Sequence, residues 1–455
     1  MSTSSHIAVF AFPFGTHTAP LLDLVQRLAA SAPDVKFSFF STSESNSLIF
    51  SGSKADDLGN IKAYNVSDGI PDGHIFGGNQ HLEAVGLFIK ATPDNFVKVV
   101  KEAEEDAGVK ISCLVTDAFL WFACDLAEEI GVPWIPFWTA ASSSLSAHLY
   151  TDEIRREIAT SERSEQTLAL IPGLQGLNIN DLPNEVLMDS QESPLAHMLY
   201  NMALKLPKAT AVVLNSFEEI DPAITTDLKS MLKKFLNIGP SPLLAAASKK
   251  PPSADKDECL SWLEKQNNAS VVYISFGTVI SPPPDEIVAL ANALETCEVP
   301  FLWSLKDHAK KHLPEGFIDR ARNNNGKFVT WAPQVRVLEH GAVGVFVTHC
   351  GWNSILESIS FGVPLICRPF FGDQKLNSRM VQDGWKIGLK VDGGVFTKSG
   401  TINAIQYILS SDKGKAISEN VRVLKEKALD AVKPNGSSTR NFQELIEIVT
   451  KSPVQ

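Results

Sequence analysis

Nowhere in this sequence are two glycines separated by a single residue, although it holds 28 of them. The G-x-G-x-x-G turn that brings a backbone close to a dinucleotide pyrophosphate is therefore missing, which argues against nicotinamide and flavin chemistry. G-x-x-x-x-G-K-[ST], H-E-x-x-H and G-x-S-x-G are missing too, so phosphate-loop transfer, zinc proteolysis and the hydrolase nucleophile elbow lose support. Cysteine is scarce. The six residues Cys113, Cys124, Cys259, Cys297, Cys350 and Cys367 form no C-x-x-C pair, so zinc-ribbon and thioredoxin-type motifs have no footing. They read as reduced, buried thiols, which fits a cytoplasmic protein. No apolar run approaches the length of about 20 residues needed to span a membrane. The start, MSTSSHIAVFAFPFGTH, lacks a basic n-region and passes straight into a strand-like run. Neither a signal peptide nor stable membrane insertion is expected. Basic residues are the minority, 41 Lys and Arg against 52 Asp and Glu, for a net charge of −11. Nucleic-acid surfaces and polybasic membrane patches are basic, so neither partner is expected. No short repeat occurs, which excludes a solenoid.

What is present is an ordinary globular composition, 44% hydrophobic and 20% charged, over 455 residues. Two domains of similar size are the natural expectation. Strand-length apolar runs alternate with amphipathic helical stretches: HIAVFAF at 6–12, KFSFFST at 36–42, ISCLVTD at 111–117, PWIPFW at 133–138 and AVVLNSF at 211–217. The pattern breaks at 239–257, GPSPLLAAASKKPPSADKD, which reads as a linker. It resumes with SVVYISFGT at 270–278, FLWSL at 301–305, FVTWAP at 328–333, VGVFVTH at 343–349 and PLICRPF at 364–370. Such alternation predicts an α/β protein with mostly parallel sheets covered by helices. Two similar halves suggest paired Rossmann-like domains facing across a cleft: 1–238, linker 239–257, then 258–440. A helix within 441–455 follows, for which packing back on the first domain is one option. Nothing points to a coiled coil, and a monomer is expected.

Ligands of open α/β sheets sit beyond the carboxyl ends of the strands. VGVFVTH ends at His349, and CGWNSILESISFG follows. Gly351 permits close backbone approach, and Asn353 and Ser354 precede a helix whose free N–H groups and positive dipole end suit a diphosphate. Glu357 has two readings. Ser354-x-x-Glu357 is a capping-box pattern, or the carboxylate accepts from sugar hydroxyls. Trp331 is either core or a platform for a nucleobase. Two further strand ends carry chemistry, His17 at the end of FPFGTH and Asp117 at the end of CLVTD. Asp117 reads equally as an N-cap. Paired, they supply a general base and the acid that orients it, because imidazole exchanges protons near neutrality. Phe12, Phe14, Phe119, Trp121 and Phe122 cluster along the chain near these ends, with Phe370 and Phe371 in the second half. They are either core or an aromatic slot for a planar ligand.

The 44 residues Trp331–Gln374, WAPQVRVLEHGAVGVFVTHCGWNSILESISFGVPLICRPFFGDQ, resemble without a gap the signature box of the plant secondary-product UDP-sugar glycosyltransferases. The resemblance runs from FPFGTH through FGT at 276–278 to the C-terminal helix. It implies a GT-B fold and inverting transfer, with no metal or other cofactor and UDP-glucose as co-substrate. It also implies that Trp331 stacks on uracil and the Ala332 backbone pairs with the base edge. Gln334 and Glu357 then hold ribose, and His349, Gly351, Asn353, Ser354, Ser275 and Thr278 surround the diphosphate. Trp352, Asp373, Gln374 and Thr139 contact the sugar, with Gln374 favouring glucose over galactose. By the same resemblance His17 is the base and Asp117 its orienting acid. Arg336 and Phe361 depart from the usual pattern, and no function is read into either.

Longer matches, among them AFPFGTHTAPLL, NVSDGIPDG, LSAHLYTDEIR, LPKATAVVLNSFEE and ICRPFFGDQKLN, are similar to flavonoid 3-O-glucosyltransferases. They imply a flavonol or anthocyanidin acceptor lined by Phe12, Gly15, Gln80, Phe119, His148 and Phe371. Gly15 stands where relatives often carry serine. The rival readings are another phenolic, a terpenoid or a hormone as acceptor, UDP-galactose as donor, or a non-catalytic binding protein.

Overall fold

Every strand-length run named above enters one of two parallel sheets. The computed structural model describes residues 5–50, 59–77, 80–160, 171–189, 193–247, 258–323 and 326–451. In the first half β1 (His6–Phe10), β2 (Lys36–Thr42), β3 (Ile61–Val66), β4 (Cys113–Asp117), β5 (Trp134–Trp138), β6 (Val212–Leu214) and β7 (Phe235–Asn237) form a seven-stranded sheet in the order 3-2-1-4-5-6-7. In the second, β8 (Val271–Ser275), β9 (Phe301–Ser304), β10 (Gly326–Val329), β11 (Val343–Thr348), β12 (Leu365–Cys367) and β13 (Gly388–Lys390) form a six-stranded sheet in the order 10-9-8-11-12-13. All pairings between these strands are parallel, so both faces need cover and the central strands lack alternation. Indeed β1, β4, β5, β8 and β11 are buried at every position.

In each sheet the strand order reverses beside the first strand, between β1 and β4 and again between β8 and β11. Loops leaving neighbouring strands at such a point diverge and leave room for a ligand. The candidate residues lie at these two places.

Two compact units result: residues up to Ile238 together with those from Pro434 onward, and Gly239–Lys433. The last helix, Ser437–Thr450, belongs to the first unit. Its Leu445 and Val449 enter the same buried cluster as Val9, Val115 and Leu28, and Asn441 Nδ2 donates to the Asn237 carbonyl at 2.9 Å. The first unit thus resumes at Pro434 rather than at 441. The stretch expected as an irregular linker, 239–257, contains a helix at Ser241–Ala247 that lies against the helices Trp352–Phe361 and Asp412–Val432. Pro242 just inside its start and the Leu-Leu-Ala-Ala-Ala run explain it; residues 248–257 lie outside the described set. All six cysteines are free thiols. Among the described residues no helix is long and apolar enough to cross a membrane.

Candidate active site

A histidine–aspartate pair occupies the reversal point of the first sheet. The turn after β1 carries His17 to the start of the helix Thr18–Ser31, and Asp117 closes the adjacent β4. His17 Nδ1 lies 2.8 Å from Asp117 Oδ2. Asp117 Oδ1 accepts the Phe119 N–H at 2.9 Å, so both carboxylate oxygens are held. The next helix starts only at Ala123, with Phe122 as its N-cap, which removes the N-cap reading of Asp117. Asp117 is 1% exposed and His17 19%. With Nδ1–H directed at the carboxylate, Nε2 carries the lone pair and can take a proton. Thr139 Oγ1, just past β5, sits 3.0 Å from the same Nδ1. Expected only as a sugar contact, Thr139 is also a second support of the imidazole. Nothing in its local sequence signals this.

The nearby aromatics divide between the two readings. Phe12 and Phe119 flank the His17 ring at centroid distances of 5.2 and 4.4 Å, and Phe14 lies 5.2 Å from Phe12. Phe122 instead packs on the core residue Phe96, and Trp121 meets His197. Trp138 links Phe119 to His148, at 5.8 and 5.7 Å. Burial pushes the His148 imidazole down to about 4, so it is neutral near pH 7. Gly15 is exposed at φ +65°, a backbone state in which serine would be strained. Gln80 is exposed at the start of the helix Gln80–Ala107. The residue of that turn that reaches the aromatic set is His81, edge-on to Phe14 at 5.7 Å. Phe371 lies in the second unit, 49% exposed.

At the reversal point of the second sheet, β8 leads into Phe276-Gly277-Thr278 and β11 into His349-Cys350-Gly351. The two glycines bracket the His349 ring. A Cβ at Gly351 would sit 2.5 Å from Nε2 and force the ring to move, and one at Gly277 would press on Cε1 at 3.0 Å from a backbone at φ +74° that favours glycine. Burial pushes His349 down to about 4, and its Nδ1 is buried without a partner among the described residues. The helix Trp352–Phe361 begins here with Gly351 as N-cap and no side-chain cap. The N–H groups of its first turn, from Trp352, Asn353 and Ser354, have no intrahelical acceptor, and together with the dipole they make an anion site. Trp352 is 3% exposed with its ring against Trp385, so its backbone is the part a ligand can reach. Ser275 is buried and Thr278 exposed on the facing loop.

Ser354 and Glu357 lie inside that helix and form no capping box. Glu357 Oε2 instead accepts from Gln334 Nε2 at 2.6 Å. Gln334 also donates to Ser354 Oγ at 3.1 Å and accepts from the Tyr273 hydroxyl at 3.1 Å. Its amide is committed to orienting Glu357, and Tyr273, buried in β8, belongs to the site although its strand gives no hint of that. Desolvation raises Glu357 to about 7, against the opposing effect of the Gln334 hydrogen bond. Trp331 is 58% exposed while Ala332 is buried, so the core reading of the indole fails.

The loop after β12 completes this half. Gln374 Oε1 accepts the N–H groups of Phe370 and Phe371 at 2.9 and 3.2 Å, which leaves its amide nitrogen to donate outward. Asp373 Oδ2 accepts from Asn377 Nδ2 at 2.8 Å. Arg368 anchors the loop's start: Nε lies 2.9 Å from Glu286 Oε2, Nη2 pairs with Oε1, and the guanidinium covers the Phe370 ring at 4.0 Å.

The family profile for UDP-glucoronosyl and UDP-glucosyl transferase matches residues 58–433. The chain is 59% identical over 456 residues to an anthocyanidin 3-O-glucosyltransferase of Gentiana triflora, covering 99% of both chains. It is 56% identical over 451 residues to a flavonol 3-O-glucosyltransferase of Actinidia chinensis var. chinensis, covering 98% of this chain and 97% of the relative. Its fold matches the crystal structure of a UDP-glucose:anthocyanidin 3-O-glucosyltransferase in complex with UDP, with a TM-score of 0.93, 41% identity, and 99% of this chain and 100% of that one covered. The two-sheet architecture is of the GT-B class. The chain belongs to the UDP-glucoronosyl and UDP-glucosyl transferase family.

Proposed function

We propose that this protein transfers glucose from UDP-glucose to the 3-hydroxyl of a flavonol or anthocyanidin, with inversion at the anomeric carbon. The observation that carries the reading is the His17–Asp117 contact, which leaves Nε2 free to act as base beside Phe12 and Phe119. The acceptor class rests on the relatives whose names specify it. In the reaction the acceptor oxygen attacks C1 of glucose, its proton passes to His17 Nε2, and the bond from C1 to the diphosphate oxygen breaks. Asp117 stabilises the imidazolium and Thr139 steadies the ring. The first-turn N–H groups of Trp352, Asn353 and Ser354, neutral His349, and the loop of Ser275 and Thr278 take up the charge on departing UDP. Trp331 stacks on uracil and the Ala332 backbone pairs with its edge, while Glu357, held by Gln334, accepts from ribose. Asp373 and Gln374 hold the glucose hydroxyls. Phe12, Gly15, Gln80, Phe119 and His148 line the acceptor. The protein acts in the cytosol, a reading that six free thiols support, and as a monomer.

Turnover of a flavonol, an anthocyanidin, a terpenoid alcohol and a phenolic hormone with UDP-glucose and with UDP-galactose tests this. Flavonoid glucosylation should exceed every other pairing; preference for UDP-galactose or for a non-flavonoid overturns it.

Glu357 makes donor binding pH-dependent. Hydroxyl donors favour its ionised form, and its proton comes off at about 7 in the free protein. UDP-glucose affinity should therefore rise roughly tenfold between pH 6 and pH 8, with proton release on binding. His349, at about 4, stays neutral across this window. Calorimetry in buffers of different ionisation enthalpy reads both effects, and Glu357→Gln should flatten the profile. A flat wild-type profile contradicts the ribose role.

A further inference from the structure

Asn377 lies three residues past Gln374 and is 0% exposed. Its single amide nitrogen makes two hydrogen bonds, one to the Cys350 carbonyl at 3.0 Å and one to Asp373 Oδ2 at 2.8 Å. These acceptors belong to different parts of the donor site: Cys350 separates His349 from Gly351 in the anion-binding turn, and Asp373 stands in the loop after β12.

We propose that Asn377 is a positioning residue that fixes the spacing between the diphosphate turn and the sugar-binding carboxylate. The inference rests on the donor reading above. Cys350 adopts φ +67°, a left-handed state that a non-glycine residue holds only when its surroundings enforce it. The buried Asn377 donor on its carbonyl is one such constraint. The Thr348 hydroxyl reaches the Cys350 N–H only at 3.4 Å, so it constrains the turn more weakly. At the other end, Asp373 stands one helical turn before Asn377, the separation at which two side chains on a helix meet. A carboxylate held there cannot rotate away from the sugar. The clasp matters to transfer because glucose must be held still while the diphosphate leaves. A misplacement of about 1 Å between reacting groups costs roughly 100-fold in rate.

The clasp acts on UDP and on UDP-glucose differently. UDP alone needs the turn, whereas UDP-glucose needs the turn and Asp373 in register. Asn377→Asp keeps the shape, removes both donors and sets a carboxylate against Asp373 and the Cys350 carbonyl. We expect kcat/KM for UDP-glucose to fall by about 30-fold or more, while the Kd for UDP by calorimetry, which senses the loosened turn but not Asp373, rises by clearly less, about three- to fivefold. Asn377→Ser, which can satisfy only one of the two acceptors, should show the same split at roughly tenfold and decides the matter if the aspartate variant does not fold. UDP-glucose use within about threefold of wild type, or equal losses for UDP and UDP-glucose, overturns the proposal. A wild-type protein that fails to bind UDP or to consume UDP-glucose instead removes the donor reading itself.

Discussion

Replacing His17 by alanine should lower turnover by roughly 10²- to 10⁴-fold, the range of a lost general base, with UDP-glucose binding unchanged. The asymmetry follows from where the residues lie. His17 belongs to the first unit, and every residue assigned to uracil, ribose and diphosphate belongs to Gly239–Lys433. Neither hydrogen-bonding partner of the imidazole substitutes for it. Asp117 is 1% exposed and already bound by the Phe119 N–H, and Thr139 offers a hydroxyl that is a poor base. Asp117→Ala should lose less, because Nε2 survives, but the ring then keeps only Thr139 on Nδ1 and lacks the charge that stabilises its protonated form. Single-turnover rates beside donor titrations check both. Unchanged turnover in His17→Ala would sink the catalytic assignment.

The second large effect concerns stability. Arg368 and Glu286 form a bidentate ion pair with side chains 12% and 4% exposed. Glu286 Oε2 also accepts the Phe396 N–H at 2.8 Å, and Arg368 Nη1 donates to the Pro369 carbonyl at 2.6 Å. Arg368→Met leaves the Glu286 carboxylate buried without a counter-charge, which costs about 3–5 kcal/mol. For a unit of this size that corresponds to a fall in Tm of roughly 6–20 °C. Adding Glu286→Leu should recover part of the loss by removing the orphaned charge, though the Phe396 N–H then loses its acceptor. Calorimetric melting of the three proteins reads this directly. A shift under about 2 °C for Arg368→Met means the pair is solvated and not the anchor of the loop that carries Asp373 and Gln374.

The central strands were legible because parallel strands covered on both faces need unbroken apolar runs, and HIAVFAF and VGVFVTH have them. The three strands without such a run, β3, β7 and β13, are edge strands. β3 is exposed at Lys62, Ala63 and Asn65, and the other two are three residues long. The helix at Ser241–Ala247 was hidden by the Pro, Ser and Lys composition around it. In the site, Asp117 ends β4 as its run suggested, but β1 stops at Phe10 and His17 lies beyond the following turn, at the N-cap of the first helix, so the strand-end reading holds for the acid and not for the base. Local pattern misled at Glu357, where S-x-x-E imitates a cap but the helix starts two residues before Ser354. Residues that act through others left no trace. Tyr273 resembles any buried strand residue, Thr139 any residue after a strand, and Asn377 any polar residue on a helix. Only the fold brings each to its partner.

The most direct test of inverting transfer to a flavonoid 3-hydroxyl is structural analysis of the product from one reaction of UDP-glucose with quercetin. A single monoglucoside, β-linked at oxygen 3, is the predicted result. Glucose on another hydroxyl, an α linkage, or no glucoside from protein that binds UDP would contradict it.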